Sequence, residues 1–386
     1  MISQTKTGAA VIKVNLIGAA ERLYRAGAFL ARTPRAWVAV VYTLFFLAIC
    51  RPGSAQTLTV VTDPAGFYSI ALSSNSDTVV SLPFCRPAVF VGQIVSVASN
   101  VIAVTGNPNW TANQFVYAAG TQSNTYYAFL NTGSGAGNHF TITNNTTNTL
   151  SLDLGSGSLT NVAVSNSVAI IPFWTLGTAL SVGAGILDSP RPGNRSTEIL
   201  VPDLAGVGTN LSAGRMYYHW NGNWRAVGQG NGVKDDDVLL SDTYFIVRHN
   251  LASNTVLTTF GAVPMKQLQI ALATDAVKKR DNSVALARPA VATLTQSMLY
   301  ESGAFTASSA TNAHTDELLT FDNTLAQKNK TPTAIYYYWS NAWRQVGAGT
   351  NDVGSVPIFA PGTGVIVRKN TNSGSPTVRW INLPNY

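Results

Sequence analysis

The sequence has 386 residues, which is long for one ordinary domain and suits two or three. Hydrophobic residues make up 46% of the chain and charged residues only 11%, less than half of the proportion that is typical of soluble domains. The net charge of +7 comes almost entirely from residues 1–55, so the rest of the chain lacks the excess positive charge of a nucleic-acid-binding protein.

Residues 1–55 have the pattern of an export signal. The run AWVAVVYTLFFLAIC (36–50) is uncharged and apolar and is bounded by Arg35 and Arg51. It is short for a membrane span, which needs about 20 residues, and suits the apolar core of a signal peptide. Small residues at Gly53 and Ala55 predict cleavage before Gln56. An uncleaved anchor is the alternative, whereas no membrane span is expected in the mature chain.

Residues 56–174 predict an N-terminal β-domain. Strand-length runs such as FYSIAL, YYAFLN, FTITN and VAIIPFW are separated by Asn, Gly, Ser and Pro, as in a β-sandwich or a small barrel. The stretch GQIVSVASNVIAVTG predicts a hairpin across Ser99 and Asn100. Cleavage at residue 55 would leave Cys85 as the only cysteine, and its apolar surroundings predict a buried thiol without catalytic function.

A duplication follows the N-terminal domain. YYHWNGNWRAVG (217–228) recurs as YYYWSNAWRQVG (336–347) at an offset of 119 residues, and TYFIVRHN (243–250) recurs as TGVIVRKN (363–370). A period near 120 residues indicates a duplicated domain rather than a solenoid repeat. We therefore expect two tandem copies of a second β-domain, at 175–292 and 293–386. LQIAL (268–272) and VALA (284–287) are expected to form a hairpin with a long loop.

The repeated aromatic phrase predicts a β-hairpin in each copy. Asn221-Gly222 is a strong signal for a two-residue turn, whereas Ser340-Asn341 lacks Gly and suggests a longer loop. Tyr pairs with Arg across such a hairpin, and the Arg can stack on an aromatic ring. The rings could cap the core of each domain, or they could form a sugar-binding platform. The candidate ligand-binding residues are Tyr218, Trp220, Trp224, Arg225, Tyr337, Trp339, Trp343 and Arg344.

Other polar groups give weaker signals. The repeated acids Glu198/Glu317 and Asp203/Asp322 could act as a glycosidase pair, but an ion pair with Arg225/Arg344 or Arg248/Arg368 is the simpler expectation. Asp235-Asp236-Asp237 does not have the spacing of a calcium loop and is expected to be a solvated turn. The four histidines are scattered, so we predict no metal site. We also predict no cofactor and no catalytic residue.

Several stretches resemble an uncharacterised family of secreted, paralogous proteins from Verrucomicrobia-type bacteria. The resemblance is carried by DPAGFYSI, SDTVVSLPFCRPAVF, WTANQFVYAAGTQSNTYYAF and the repeated YYxWxxxWRxVG. It implies export and a surface or secreted protein, and it assigns no catalytic residue.

The expected function is that of a secreted, non-enzymatic surface or matrix protein that adheres through repeated β-domains. A carbohydrate-binding module protein is the main alternative, and a glycoside-active enzyme is a further one. The expected partner class is polysaccharide or other cell-surface material, with no nucleic acid. The expected location is outside the cytoplasm: the medium, the cell surface or the periplasm.

Overall fold

The computed structural model describes residues 64–183 and 185–386. These residues form 24 strands and the single-turn helix α1 (Leu176–Ala179), so the all-β prediction is confirmed. The predicted export signal at 1–55 lies outside the described residues. Within them, no helix is long and apolar enough to cross a membrane.

Six strands close into a barrel in the order β3-β4-β7-β6-β5-β8. They are β3 (Phe90–Ala98), β4 (Val101–Val104), β5 (Tyr126–Leu130), β6 (His139–Asn145), β7 (Thr149–Asp153) and β8 (Ser167–Pro172). The predicted hairpin is confirmed, because Ala98 pairs with Val101 across Ser99 and Asn100. Alternating side chains of these strands fill the barrel, as Ile102, Leu150 and Ile170 illustrate.

A first set of strands forms what we name the first module. Its five-stranded sheet has the order β12-β11-β10-β14-β2, and two-stranded pairs β1-β15 and β9-β13 flank it. The strands are β1 (Ala65–Leu72), β2 (Ser76–Ser81), β9 (Trp174–Thr175), β10 (Thr197–Pro202), β11 (Ala213–Trp220), β12 (Asn223–Ala226), β13 (Val238–Leu239), β14 (Tyr244–His249) and β15 (Thr255–Ala262).

The remaining strands form the second module, which repeats the same pairing. Its sheet has the order β17-β23-β19-β20-β21, with flanking pairs β16-β24 and β18-β22. The strands are β16 (Leu268–Ala273), β17 (Arg280–Val284), β18 (Ala292–Thr293), β19 (Glu317–Thr320), β20 (Ala334–Trp339), β21 (Ala342–Gln345), β22 (Pro357–Phe359), β23 (Val365–Lys369) and β24 (Thr377–Asn382). Each pair of strands in one module therefore has a counterpart in the other.

Strand pairing crosses the boundaries that were drawn from the sequence at 174/175 and 292/293. Strands β1 and β2 precede the barrel but pair with β15 and β14 of the first module. In the first module, β2 is thus connected to β9 by residues 82–173, which contain the barrel. In the second module, the equivalent strands β17 and β18 are connected by residues 285–291 alone. In the second module β16 pairs with β24 and β17 with β23. The expected hairpin between residues 268 and 287 is therefore wrong, because β16 and β17 pair with β24 and β23 and not with each other.

The two modules contact each other reciprocally. Arg248 of β14 makes two 2.8 Å hydrogen bonds to Asp77 of β2, and Asn329 of the second module donates its N–H to the same carboxylate at 2.7 Å. Arg368 of β23 bonds Asp281 of β17 at 2.7 and 3.0 Å, and Asn210 of the first module donates its N–H at 2.8 Å. This exchange of equivalent contacts has the form of a two-fold interface within one chain.

Candidate functional site

The aromatic phrases form the two predicted hairpins. Tyr218 pairs with Arg225 in β11–β12, and Tyr337 pairs with Arg344 in β20–β21. The first turn has Asn221 and Gly222 at φ 52° and 76°, and the second has Ser340 and Asn341 at φ 49° and 57°. Both are two-residue turns, because the strands pair directly on each side. The longer second loop predicted from the lack of Gly is therefore wrong: Ser and Asn adopt the left-handed conformation here.

Most of the predicted ligand-binding rings belong to the core. Trp224 and Trp343 are each 1% exposed, and Tyr218 and Tyr337 are also buried. Each buried Trp lies in the hydrophobic cluster of its own module, as large aromatic side chains commonly do.

The first Trp of each hairpin, Trp220 or Trp339, is only partly buried. The guanidinium groups of Arg225 and Arg344 lie 5.8 Å from these two rings, which confirms the predicted stacking of Arg on an aromatic ring. Each Arg also donates to a backbone carbonyl, of Asn231 or of Thr350. Arg225 is buried and Arg344 is partly buried, so the arginines fix the loops that follow the hairpins.

The repeated acids have separate local partners. Glu198 accepts from Arg195 at 2.8 Å and from Asn250 at 3.2 Å. Glu317 contacts His314 at 3.1 Å and Arg368 at 3.7 Å, so the predicted ion pair with Arg368 is confirmed in the second module.

Asp203 and Asp322 hydrogen-bond to their own turns and do not form a glycosidase-like pair with the repeated glutamates. Asp203 accepts from the N–H groups of Ala205 and Gly206, and Asp322 accepts from the N–H and hydroxyl of Thr324. These hydrogen bonds from Thr324 lower the pKa of Asp322. The arrangement leaves each acid bonded to its own loop.

The run Asp235-Asp236-Asp237 supports the first hairpin instead of forming a solvated turn. Asp235 accepts from the N–H of Trp224 at 2.7 Å, and Asp237 accepts from the hydroxyl of Tyr217 at 2.8 Å. Partial burial, together with the charges of its two neighbours, raises the pKa of Asp236. In the described part of the chain no group of three or more His, Cys, Asp or Glu side chains could hold a metal ion.

Cys85 is also placed differently from the prediction. It is half-buried rather than fully buried, and its thiol lies 3.5 Å from the carbonyl of Ala262. Its backbone bridges to the same residue, so the residue connects the start of the barrel segment to β15.

An open cavity of about 370 Å³ adjoins the first hairpin. Asp188, His219 and Asp235 supply its polar groups, and Trp224 contributes to its wall. His219 Nδ1 lies 2.8 Å from Asp188 Oδ1, and the His219 ring meets Trp224 edge-to-face at 5.4 Å. Hydrogen bonding to the carboxylate fixes the orientation of the imidazole ring. The cavity thus combines an oriented His–Asp pair and a second carboxylate, next to the buried ring of Trp224.

The corresponding place in the second module is filled. Tyr338 replaces His219 in the repeated phrase, and Tyr300 stacks on it at 3.5 Å. Tyr300 follows Ser181, which lines the cavity in the first module, by the repeat offset of 119 residues. The small Ser181 side chain therefore leaves open a space that a tyrosine ring occupies in the second module. One sequence signal for this site is the change from His219 in YYHW to Tyr338 in YYYW.

A second feature is the outer face of the β1–β15 ribbon. Phe67 and Phe260 pair across the two strands and are 77% and 63% exposed, and Val256 on the same face is 54% exposed. In the second module the barrel covers the corresponding ribbon: Gln267 and Gln269 donate to the carbonyl of Ala136 at 2.8 and 2.7 Å. Period-two alternation placed Phe67 on one face of β1 but could not tell whether that face is covered.

Comparison with known proteins returned no matching family, no matching curated protein and no matching solved structure.

Proposed function

We propose that the protein is an exported, non-enzymatic surface or matrix protein that adheres through the outer face of the β1–β15 ribbon. The observation that carries this proposal is the exposed apolar strip formed by Phe67, Phe260 and Val256. Exposed apolar strips of this kind mark interaction surfaces in soluble proteins. The corresponding ribbon of the second module is already used as a contact surface, against the barrel.

The occupant that we propose for the strip is the same strip of a second copy of the chain. Phe67 lies directly opposite Phe260, so the two rings form one apolar patch, and two copies of such a patch can pack on each other across a two-fold axis. Two such ribbons packed face to face would remove both Phe pairs from water, which is the main driving force for association. In a surface layer, neighbouring copies are the partner present at the highest local concentration.

The test is sedimentation of the mature chain over a range of concentrations. The wild type is expected to form dimers, and the double variant Phe67→Ser with Phe260→Ser is expected to stay monomeric. Val277→Ser is a matched control, because Val277 is 80% exposed but lies in a loop of the second module. A wild type that stays monomeric at the highest concentration would refute adhesion through this face.

Export is supported by the apolar run 36–50 with its flanking arginines. Expression of the full chain in a secreting bacterial host, followed by fractionation, tests it. We expect the protein outside the cytoplasm with Gln56 as its first residue, as read from the mass of the N-terminal peptide. An intact N-terminus in the membrane fraction would favour the uncleaved anchor, and cytoplasmic protein would refute export.

Carbohydrate binding is the second candidate function. Its site would be the cavity beside Trp224 rather than the rings of the hairpins. Carboxylates and an oriented imidazole ring can bond sugar hydroxyls, and the adjacent Trp224 would report binding through its fluorescence. Titration of tryptophan fluorescence with a polysaccharide panel tests this function. Ser181→Tyr, which introduces the side chain found in the second module, should abolish a response, whereas Ser156→Tyr on an exposed barrel turn should leave it unchanged. Equal responses from both variants would exclude the cavity.

A further inference from the structure

A buried Lys–Asp pair joins two neighbouring strands of the second module. Glu317 pairs with Arg368 in the β19–β23 ladder, so Asp316 and Lys369 are the next facing residues along the two strands. Lys369 is 3% exposed and Asp316 is 1% exposed. The Lys369 ammonium contacts Asp316 Oδ2 directly and donates to the carbonyl of Ala304 at 2.7 Å. The amine is therefore held against the carboxyl group out of contact with water.

The carboxyl group of Asp316 is fixed by two backbone donors. Its Oδ1 accepts from the N–H of Asn370 at 2.8 Å, and its Oδ2 accepts from the N–H of Thr306 at 2.7 Å. Phe305 lies between Ala304 and Thr306, the two residues whose backbones contact the pair. It is 2% exposed, and its ring centroid lies 5.0 Å from that of Trp343. An apolar wall thus closes the site, and both carboxyl oxygens already have donors aimed at them.

We propose that Lys369 Nζ and the side-chain carbonyl carbon of Asp316 become joined by an intramolecular amide bond. Two protons of the ammonium leave with Oδ2 as one molecule of water, the third stays on the new amide nitrogen, and Oδ1 becomes the amide oxygen. One N–C bond forms and one C–O bond breaks. The positive and negative charges of the pair are consumed together, so the step needs no oxidant, reductant or co-reactant.

Three properties of the site favour this step. Reacting groups held in place have effective molarities on the order of 10⁵ to 10⁸ M. This proximity takes the place of the chemical activation of the carboxyl group that amide formation needs in water. The N–H of Asn370 is aimed at the oxygen that carries negative charge when the nitrogen adds to the carbonyl carbon. The product is neutral, so it removes the desolvation penalty of a buried ion pair.

The first module provides an internal comparison. Thr197 and His249 face each other at the equivalent ladder position, with the Thr197 hydroxyl 3.4 Å from His249 Nδ1. Neither side chain offers an amine or a carboxyl group, so the bond would form in the second module alone. There it would tie β19 to β23 covalently, next to the Glu317 and Arg368 side chains. Residues 56–386 contain a single cysteine, so this part of the chain cannot form an internal disulfide.

The mass of the denatured mature protein tests the proposal directly. We expect a mass lower by one water than the sequence requires, and after proteolysis a branched peptide that joins the segments carrying Asp316 and Lys369. Lys369→Arg, which keeps the charge but cannot form the amide, should have the full sequence mass and yield two separate peptides. Because masses are measured on unfolded chains, imperfect folding of the variant does not affect the result for the wild type.

Two outcomes would overturn the proposal. One is a wild-type mass equal to that of the sequence, with separate Asp316 and Lys369 peptides. The other is a loss of water that peptide mapping places elsewhere, for example as a cyclised Asp within one peptide, and that persists in Lys369→Arg.

Discussion

At the scale of single residues, the two modules use one ladder position in different ways. The second module places the charged side chains Asp316 and Lys369 there, and the first places Thr197 and His249. His249 is fully buried, and both ring nitrogens are hydrogen-bonded. Nδ1 contacts the hydroxyl of Thr197, and Nε2 donates to the carbonyl of Ser253. Burial disfavours the charged imidazolium and lowers the pKa of His249. The first module therefore buries an imidazole ring whose charged form folding disfavours.

This difference predicts a pH-dependent stability. The pKa of His249 is lower in the folded protein than in the unfolded chain, where it is about 6.5. Below the unfolded value, the unfolded chain binds a proton that the folded protein does not, so the free energy of unfolding falls as the pH falls toward the folded pKa. Urea unfolding from pH 7 to pH 5 should show this loss, and His249→Gln should reduce its slope. An unchanged slope in the variant would mean that other groups cause it.

At the scale of secondary-structure elements, the two hairpins share one turn geometry with different residues. Both turn positions have positive φ in each hairpin, a conformation that Gly and Asn adopt more readily than Ser. The second hairpin has Ser340 at its first turn position, where the first has Asn221. The turn of the second hairpin is thus held in place by the paired strands more than by its own residues.

A reciprocal exchange at these turns should change stability in opposite directions. We expect Ser340→Asn to raise the free energy of unfolding by about 0.5 kcal/mol and Asn221→Ser to lower it by a similar amount, because Asn tolerates the left-handed region better. Both sites are at exposed turns, so packing is unaffected. Thermal and urea unfolding of the two variants measure the effect. A change of the same sign in both variants would contradict the argument.

Some of these elements were predictable from the sequence because their signals are local. The hairpins followed from the turn pair and the repeated aromatic phrase, and the β3–β4 hairpin followed from alternation on each side of Ser99-Asn100. The partners of β1 and β16 were not predictable, because each pairs with a strand more than 100 residues away and alternation carries no information about the partner. The cavity was missed because it exists only where position 181 has a small side chain. That absence becomes apparent only when Ser181 is compared with Tyr300, which fills the equivalent space in the second module.

At the scale of the whole molecule, the loop of each module completes an ion pair of the other. The Asp77 side chain is 2% exposed and the Asp281 side chain 7%, while their arginine partners remain partly accessible. Asn329 and Asn210 have φ values of 52° and 54°, which turn their N–H groups toward these carboxylates. Each module therefore supplies one Asn N–H to the other and receives one in return.

Loss of either aspartate should therefore lower the stability of the protein, and loss of Asp77 should lower it more. Asp77→Ala removes the carboxylate that Arg248 pairs with, so we expect it to lower the free energy of unfolding by about 3 kcal/mol. Asp281→Ala leaves Arg368 with Glu317 at 3.7 Å, so we expect a smaller loss there. Unfolding should remain a single transition in the wild type and in both variants, because other hydrogen bonds, those of Asn323 with Val79 and of Ser81 with Thr363, still join the modules. Differential scanning calorimetry measures both the shift and the number of transitions. Asp153→Ala, at an exposed barrel position, should change stability by less than about 0.5 kcal/mol. A larger loss from Asp281→Ala than from Asp77→Ala would contradict the argument.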